Sequence, residues 1–454
     1  MTFAASEITA FRYRDARIDR SSGLAEFEFA FDGGAEESFT ERVQFTLPAD
    51  ASSVDWERVD MAIPLLGAAL SLSYFKAAAP PLFIVEGMLL TATAMDYLRS
   101  LIRNGLAEFS YRAGLPGLLE PEVITLFPGF DFGSPALDYG RIETPAGDPL
   151  VPIGGGKDSV VSVESLAATG FAPIQFAVNP NSIIKRVATA SGHPLVSSTR
   201  TLDPRLLELN DEGALNGHVP VTAMNSLIAV IQSLLLGAGP VVMSNESSAS
   251  DPTLEWNGEP VNHQWSKSLA AERELARALE SQAGLRDAYF SLLRPFSELR
   301  IARGFATTSK YDASIVSCNR AFRRGADHVG WCGDCDKCRF VFLAFAPYMS
   351  VERLTGIIGK NMFEDASQLD GYRALLGLDA HKPFECVGEE AECTVAASLL
   401  ARMPEWASSL VVTSLVAEVP NLADGDPALE ASVLEEQAAL PLTPDYEAAR
   451  HAIV

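Results

Sequence analysis

Basic residues are scarce in this chain. Its 454 residues include 35 Lys and Arg against 59 Asp and Glu, a formal charge of −24. That balance excludes broad, sequence-independent nucleic-acid binding, which needs clustered cations to neutralise phosphates. Also missing is any apolar run of the roughly 20 residues that span a bilayer. The opening Met1-Thr2-Phe3-Ala4-Ala5 has no basic stretch leading into an apolar one, so the expectation is a cytoplasmic protein that works without a membrane. No repeat of 20 to 50 residues is visible, and nothing in the sequence marks an oligomeric state. Cysteines number only six, and four of them (Cys318, Cys332, Cys335 and Cys338) fall within 21 residues. Such crowding in a large chain predicts metal ligation rather than a disulfide framework. What is abundant is apolar surface, 48% of residues with 21% charged, which is the composition of a folded globular protein.

The hydropathy pattern predicts an α/β protein in three parts. Residues 1–140 open with strand alternation, Phe27, Phe29 and Phe31 against Glu28 and Ala30, then Val43, Phe45 and Leu47 against Gln44 and Thr46. Helical spacing follows from about Asp55 (Met61, Leu65, Leu66, Leu70). A separate β-rich N-terminal domain is expected. Residues 141–350 read as strand, glycine turn and helix (Leu150 to Ala168), then a strand at Ile174 to Val178, a helix at Ala223 to Leu236 and a strand at Pro240 to Met243. Alternation of this kind predicts parallel βαβ units with helices on both faces. Residues 351–454 form an acidic C-terminal region, with 18 acids and 6 bases, whereas residues 291–340 invert the balance with 9 bases and 5 acids. A basic island in an acidic protein suggests a small polyanionic ligand.

Gly154, Gly155 and Gly156 follow a strand and lead into a helix through Lys157, Asp158 and Ser159. Consecutive glycines let backbone N–H groups approach an anion, and the helix N-terminus adds a positive end, which together make a phosphate cradle. The spacing is not that of a Walker A loop. It resembles the Ser-Gly-Gly-X-Asp-Ser pyrophosphate loop of the N-type ATP pyrophosphatases. Gly155, Gly156, Asp158 and Ser159 match, Lys157 takes the variable place, and Gly154 replaces the leading Ser. The resemblance implies an adenine nucleotide alpha hydrolase-like core that splits ATP between its α and β phosphates, with magnesium, and with Lys157 available to the leaving pyrophosphate. A Val-Pro element within His218 to Ser226 also resembles this superfamily.

Cys318 followed by Cys332, Cys335 and Cys338 supplies four thiolates, enough to close a tetrahedral zinc site; thiolates serve iron–sulfur clusters as well. The order resembles the zinc site of 7-cyano-7-deazaguanine synthase, itself a pyrophosphate-loop enzyme. A full shell of four thiolates leaves no open position, which predicts a structural role.

With these motifs placed, the chain resembles the MurL-type UDP-N-acetylmuramoyl-L-alanyl-L-glutamate epimerases over nearly its whole length. The likeness runs through Ser73 to Pro80, Ile153 to Ser159, Asn262 to Ser268, the cysteine block continuing into Phe340 to Phe345, and His381 to Cys386. It implies ATP- and magnesium-dependent inversion of a glutamate through an acyl-adenylate. A proton-transfer group is then needed. Cys386, outside the metal cluster, and His263, between Trp256 and Trp265, are the first candidates, with His218, His381, Glu385 and Cys393 behind them; each also suits an ordinary packing role. Lys76 reads as a phosphate contact or a solvated lysine. The competing expectations are a 7-cyano-7-deazaguanine synthase-like ligase and a non-catalytic nucleotide-binding protein.

Overall fold

The computed structural model describes residues 3–34, 37–120, 122–126, 142–322, 329–378 and 387–454. Its centre is one ten-stranded mixed sheet. The strands, in chain order, are β1 (Ala10–Asp19), β2 (Leu24–Asp32), β3 (Glu37–Gln44), β4 (Leu82–Glu86), β5 (Glu122–Leu126), β6 (Leu150–Pro152), β7 (Ile174–Val178), β8 (Leu195–Thr201), β9 (Val241–Met243), and β12 (Tyr289–Ser291). A separate two-stranded ribbon pairs β10 (Leu254–Trp256) with β11 (Glu259–Val261). Across the large sheet the order is β12-β9-β6-β7-β8-β3-β2-β1-β4-β5.

The expected antiparallel opening is present. β1, β2 and β3 form a meander, and Phe27, Phe29 and Phe31 of β2 are all buried on one face. Their cover is the helix Trp56–Leu70, capped by Asp55, whose side chain accepts from the Arg58 N–H. Gly67 allows the close approach: a Cβ there would sit 2.0 Å from the Tyr13 hydroxyl, which donates to the Pro64 carbonyl at 3.0 Å. β3 stops at Gln44, before the alternation in the sequence does. The backbone of Thr46 is instead bonded by the Gln232 side chain, with N–H to Oε1 at 3.0 Å and Nε2 to the carbonyl at 2.7 Å.

The strands β12, β9, β6, β7 and β8 are mutually parallel, as the alternating pattern predicts. β3 joins this block by pairing antiparallel with β8, Val43 opposite Arg200. An ion pair crosses the joint, from the half-buried Arg200 Nε to the buried Glu41 Oε1 at 2.5 Å. Arg200 also donates to the Ser73 hydroxyl at 2.8 Å. The meander and the parallel block thus share one sheet, and a hydrophobic core continuous from Ile8 to Tyr289 lies under both. A second core gathers the helices Glu298–Ala306, Asp336–Phe345 and Glu390–Ala401 around Phe342, Phe363 and Trp406. The helix Pro444–Arg450 closes one face, Tyr446 stacking on Phe171 with ring centroids 4.7 Å apart.

Candidate active site

β6 lies in the middle of the parallel block, with β7 and β8 on one side and β9 and β12 on the other. Its C-terminal end is therefore a topological switch point, where open parallel sheets form their ligand crevice. The three glycines follow at that point, and the helix Lys157–Ala168 starts directly after them. Gly155 has φ +85°, and a Cβ there would meet Ile183 at 3.0 Å; a Cβ on Gly156 would meet Ser317 Oγ at 2.7 Å. Both positions need glycine, one for its backbone and one for space. The Gly155 carbonyl accepts from the Val316 N–H at 3.2 Å, which ties the loop to the segment leading into the cysteine cluster.

The loop opens on a cavity of about 350 Å³. Gly154, Gly156, Asp158 and Ser159 line it, with Asn225 from the helix Val221–Leu236, Asn245 and Glu246 after β9, and Lys267 and Lys337. Asn245 is buried, and its Nδ2 has no hydrogen-bond partner among the described residues. A buried donor left over at a cavity wall is a position a polar ligand fills. Burial acts to raise the Asp158 pKa, but the Lys157 and Lys337 charges outweigh it and hold the carboxyl below its usual range. The set of backbone N–H groups, two ammonium groups and a spare amide donor fits a polyphosphate.

Lys157 does not line this cavity. It is 2% exposed and turned behind the loop, where it is ion-paired with Asp158 and Glu298. Glu298 in turn faces Lys337 at 3.6 Å. The cavity walls are fixed from below by Arg294, itself buried: its guanidinium donates to the Glu246 carbonyl at 2.5 Å and to that of Lys267, and it is paired with the buried Glu272 at 2.8 Å. Arg294, Arg320 and Arg339 of the basic island are thus occupied with carboxylates, Arg320 with Asp334 and Arg339 with Asp334 and Asp336. Among the described residues, Lys337 is the island's cation at the cavity.

Cys318, Cys332, Cys335 and Cys338 come together as expected. The Sγ separations are 3.9 Å (318 to 335), 3.8 Å (332 to 338) and 3.5 Å (335 to 338). With metal–sulfur bonds of about 2.3 Å, a tetrahedral ion sets its thiolates about 3.8 Å apart. The cluster therefore has the dimensions for one metal ion, whereas a cluster of several iron and sulfide atoms would spread the thiolates further.

His263, four residues before the cavity-lining Lys267, has its Nδ1 2.5 Å from Glu108 Oε2. His218 is next to it, with ring centroids 5.0 Å apart. Cys386, His381 and Glu385 lie outside the described residues. Cys393 is fully buried in the second core. Lys76 is buried with its Nζ 2.5 Å from Asn216 Oδ1, and burial lowers its pKa to about 8. Glu298, Lys337, Asn245 and Glu108 escaped sequence reasoning. None of them sits in a spacing motif with its partners.

No solved structure matches this chain. Three bacterial relatives do, each named UDP-N-acetyl-alpha-D-muramoyl-L-alanyl-L-glutamate epimerase. The protein from Salinispora tropica is 48% identical over 420 residues, covering 91% of this chain and 90% of the relative. That from a Micromonospora species is 47% identical over 418 residues, covering 91% and 92%. That from Xanthomonas oryzae pv. oryzae is 40% identical over 430 residues, covering 93% of each. The model of the MurL N-terminal domain matches residues 2–292, and that of the MurL C-terminal domain matches residues 314–430. The chain belongs to the MurL family.

Proposed function

We propose that this protein inverts the terminal L-glutamate of UDP-N-acetylmuramoyl-L-alanyl-L-glutamate to D-glutamate in the cytoplasm, for peptidoglycan precursor synthesis, at the expense of ATP. Support comes from the shared name of the three relatives and from the chemistry available at the glycine loop. The α-hydrogen of a glutamate is very weakly acidic beside a carboxylate, because its removal sets a second negative charge next to the first. Adenylation turns that carboxylate into the uncharged acyl group of a mixed anhydride with AMP, an acyl-adenylate, and releases pyrophosphate. The Cα–H becomes acidic enough to leave, the enolate is reprotonated on the other face, and hydrolysis frees AMP and the D-glutamyl product.

The observation that carries this reading is the glycine loop opening on a cavity that holds Lys267, Lys337 and the Asn245 amide, whose Nδ2 has no hydrogen-bond partner among the described residues. In this reading the N–H groups of Gly154, Gly155 and Gly156, with Ser159, take the phosphates, in an adenine nucleotide alpha hydrolase-like core. Lys267 and Lys337 stabilise the leaving pyrophosphate. Lys157 acts from behind, fixing Asp158. Asp158 and Glu246 are the cavity carboxylates that would hold magnesium, a hard cation suited to oxygen ligands, which when bound neutralises phosphate charge. The four thiolates would hold one structural zinc.

The test is to supply UDP-N-acetylmuramoyl-L-alanyl-L-glutamate, ATP and magnesium to the purified protein and to assay pyrophosphate and glutamate chirality. D-glutamate formed together with pyrophosphate supports the proposal. Absence of both from a correctly folded, ATP-binding protein contradicts it.

A further inference from the structure

Glu108 is 5% exposed and belongs to the helix Ala107–Ala113, yet it carries two imidazoles from distant parts of the chain. His263 comes just after β11 and His218 just before the helix Val221–Leu236. Glu108 Oε2 is 2.5 Å from His263 Nδ1 and 3.5 Å from His218 Nδ1, while Oε1 accepts from Arg112 at 2.7 Å. Gly217 permits the approach, since a Cβ there would meet the Phe109 ring at 2.7 Å. Burial pushes the Glu108 carboxyl up, but His263, His218 and Arg112 together hold it below its usual range, so it is ionised.

Both histidine segments continue into the cavity wall. Thr222 and Asn225 follow His218, and Lys267 follows His263. The charge of Lys267 acts on Asp158 and on His218 alike. Each imidazole thus lies four residues from a residue that lines the cavity, His218 from Thr222 and His263 from Lys267.

We propose that His263, oriented through Nδ1 by Glu108, is a catalytic residue that takes the α-hydrogen of the glutamyl adenylate, and that Glu108 is its positioning residue. This rests on the adenylation reading above. His263 Nε2 accepts the α-hydrogen as a proton, and the C–H electron pair moves into the acyl carbonyl to give the enolate. The enolate carbon takes a proton from water on its opposite face, and the imidazolium returns its own to solvent, so the proton count closes. Glu108 stabilises the imidazolium while it lasts. Burial lowers the His218 pKa to about 4, which keeps that ring neutral and spares the imidazolium a like charge.

The experiment compares the native chain with His263→Asn and Glu108→Gln in D2O, with UDP-N-acetylmuramoyl-L-alanyl-L-glutamate, ATP and magnesium. Deuterium at the glutamate Cα and pyrophosphate are both followed. The expected result is that His263→Asn still releases pyrophosphate while its deuterium incorporation falls about 100-fold or more. In Glu108→Gln, incorporation falls at unchanged KM, and the acid limb of its pH profile moves to lower pH, because an imidazolium without its carboxylate is more acidic. Native incorporation in His263→Asn, an unmoved limb in Glu108→Gln, or a stoichiometric metal that His263→Asn loses would each overturn the assignment. A native chain that releases no pyrophosphate at all strikes the adenylation reading itself, which separates the two failures.

Discussion

Lys157 is ion-paired with Glu298 behind the glycine loop, and both side chains are almost completely buried. The two residues are 141 positions apart, so the helix that follows the loop is fastened to the helix Glu298–Ala306 through its first residue. Removing Glu298 leaves the buried Lys157 ammonium with Asp158 alone, and loss of one member of a buried pair costs about 3 kcal/mol or more. Glu298→Ala is expected to lower unfolding stability by that amount in a denaturant titration and to weaken ATP binding with it. Unchanged stability would show that Asp158 alone satisfies the ammonium.

The three glycines differ in what they tolerate. Gly155→Ala puts a side chain at φ +85° against Ile183, a strain of about 1–2 kcal/mol at the centre of the phosphate cradle. Gly154 has no neighbour within 4 Å of a Cβ. Pyrophosphate release is therefore expected to survive Gly154→Ser and to drop sharply in Gly155→Ala and Gly156→Ala. Equal rates in all three variants would detach the loop from phosphate binding.

Stability near the second core depends on pH through Glu392. Burial raises its pKa to about 8, and it accepts from the Leu299 N–H at 3.1 Å. With the folded value above the unfolded one of about 4.5, the native state holds the proton longer. Its contribution is whole below about pH 4.5 and is lost as pH rises to about 8, by at most about 5 kcal/mol. Glu392→Gln cannot ionise, so its stability relative to the native chain is expected to rise between pH 5 and 8 and to level off above. A difference that does not change with pH would contradict the burial of this carboxyl.

The cysteine cluster ties metal content to folding. Cys335→Ser removes the thiolate that touches two others, at 3.9 and 3.5 Å. Bound metal and soluble yield are expected to fall together, as binding free energy of a structural site is folding free energy. Elemental analysis and thermal unfolding check this, and a stable, metal-free, active variant would refute structural ligation.

Features written in adjacent residues could be read from the sequence. The Phe27, Phe29 and Phe31 alternation gives β2, Ile174 to Val178 is the observed β7, and the triglycine lies between a strand and a helix as its spacing requires. The cysteines carry their ligand geometry in their spacing. What the sequence hides is made by long-range pairing. β8 has the polar run Ser197-Ser198-Thr199-Arg200, whose side chains meet distant polar partners, Ser198 with Gln232 and Arg200 with Glu41, and so it shows no apolar period. Lys157 reads as a phosphate ligand from its position after the glycines, and only the fold reveals Glu298 beneath it. Glu108 and His263, 155 residues apart, share no motif. His263 was nameable by residue type alone, its carboxylate partner not at all.

The most direct measurement follows an oxygen atom. UDP-N-acetylmuramoyl-L-alanyl-L-glutamate with its glutamate α-carboxylate labelled in ¹⁸O is incubated with the native protein, ATP and magnesium, and the AMP is analysed by mass spectrometry. Attack of the carboxylate on the α phosphorus, followed by hydrolysis at the acyl carbon, predicts AMP carrying one labelled oxygen for each D-glutamate formed. D-glutamate accompanied by unlabelled AMP, or formed without AMP, would contradict inversion through an acyl-adenylate.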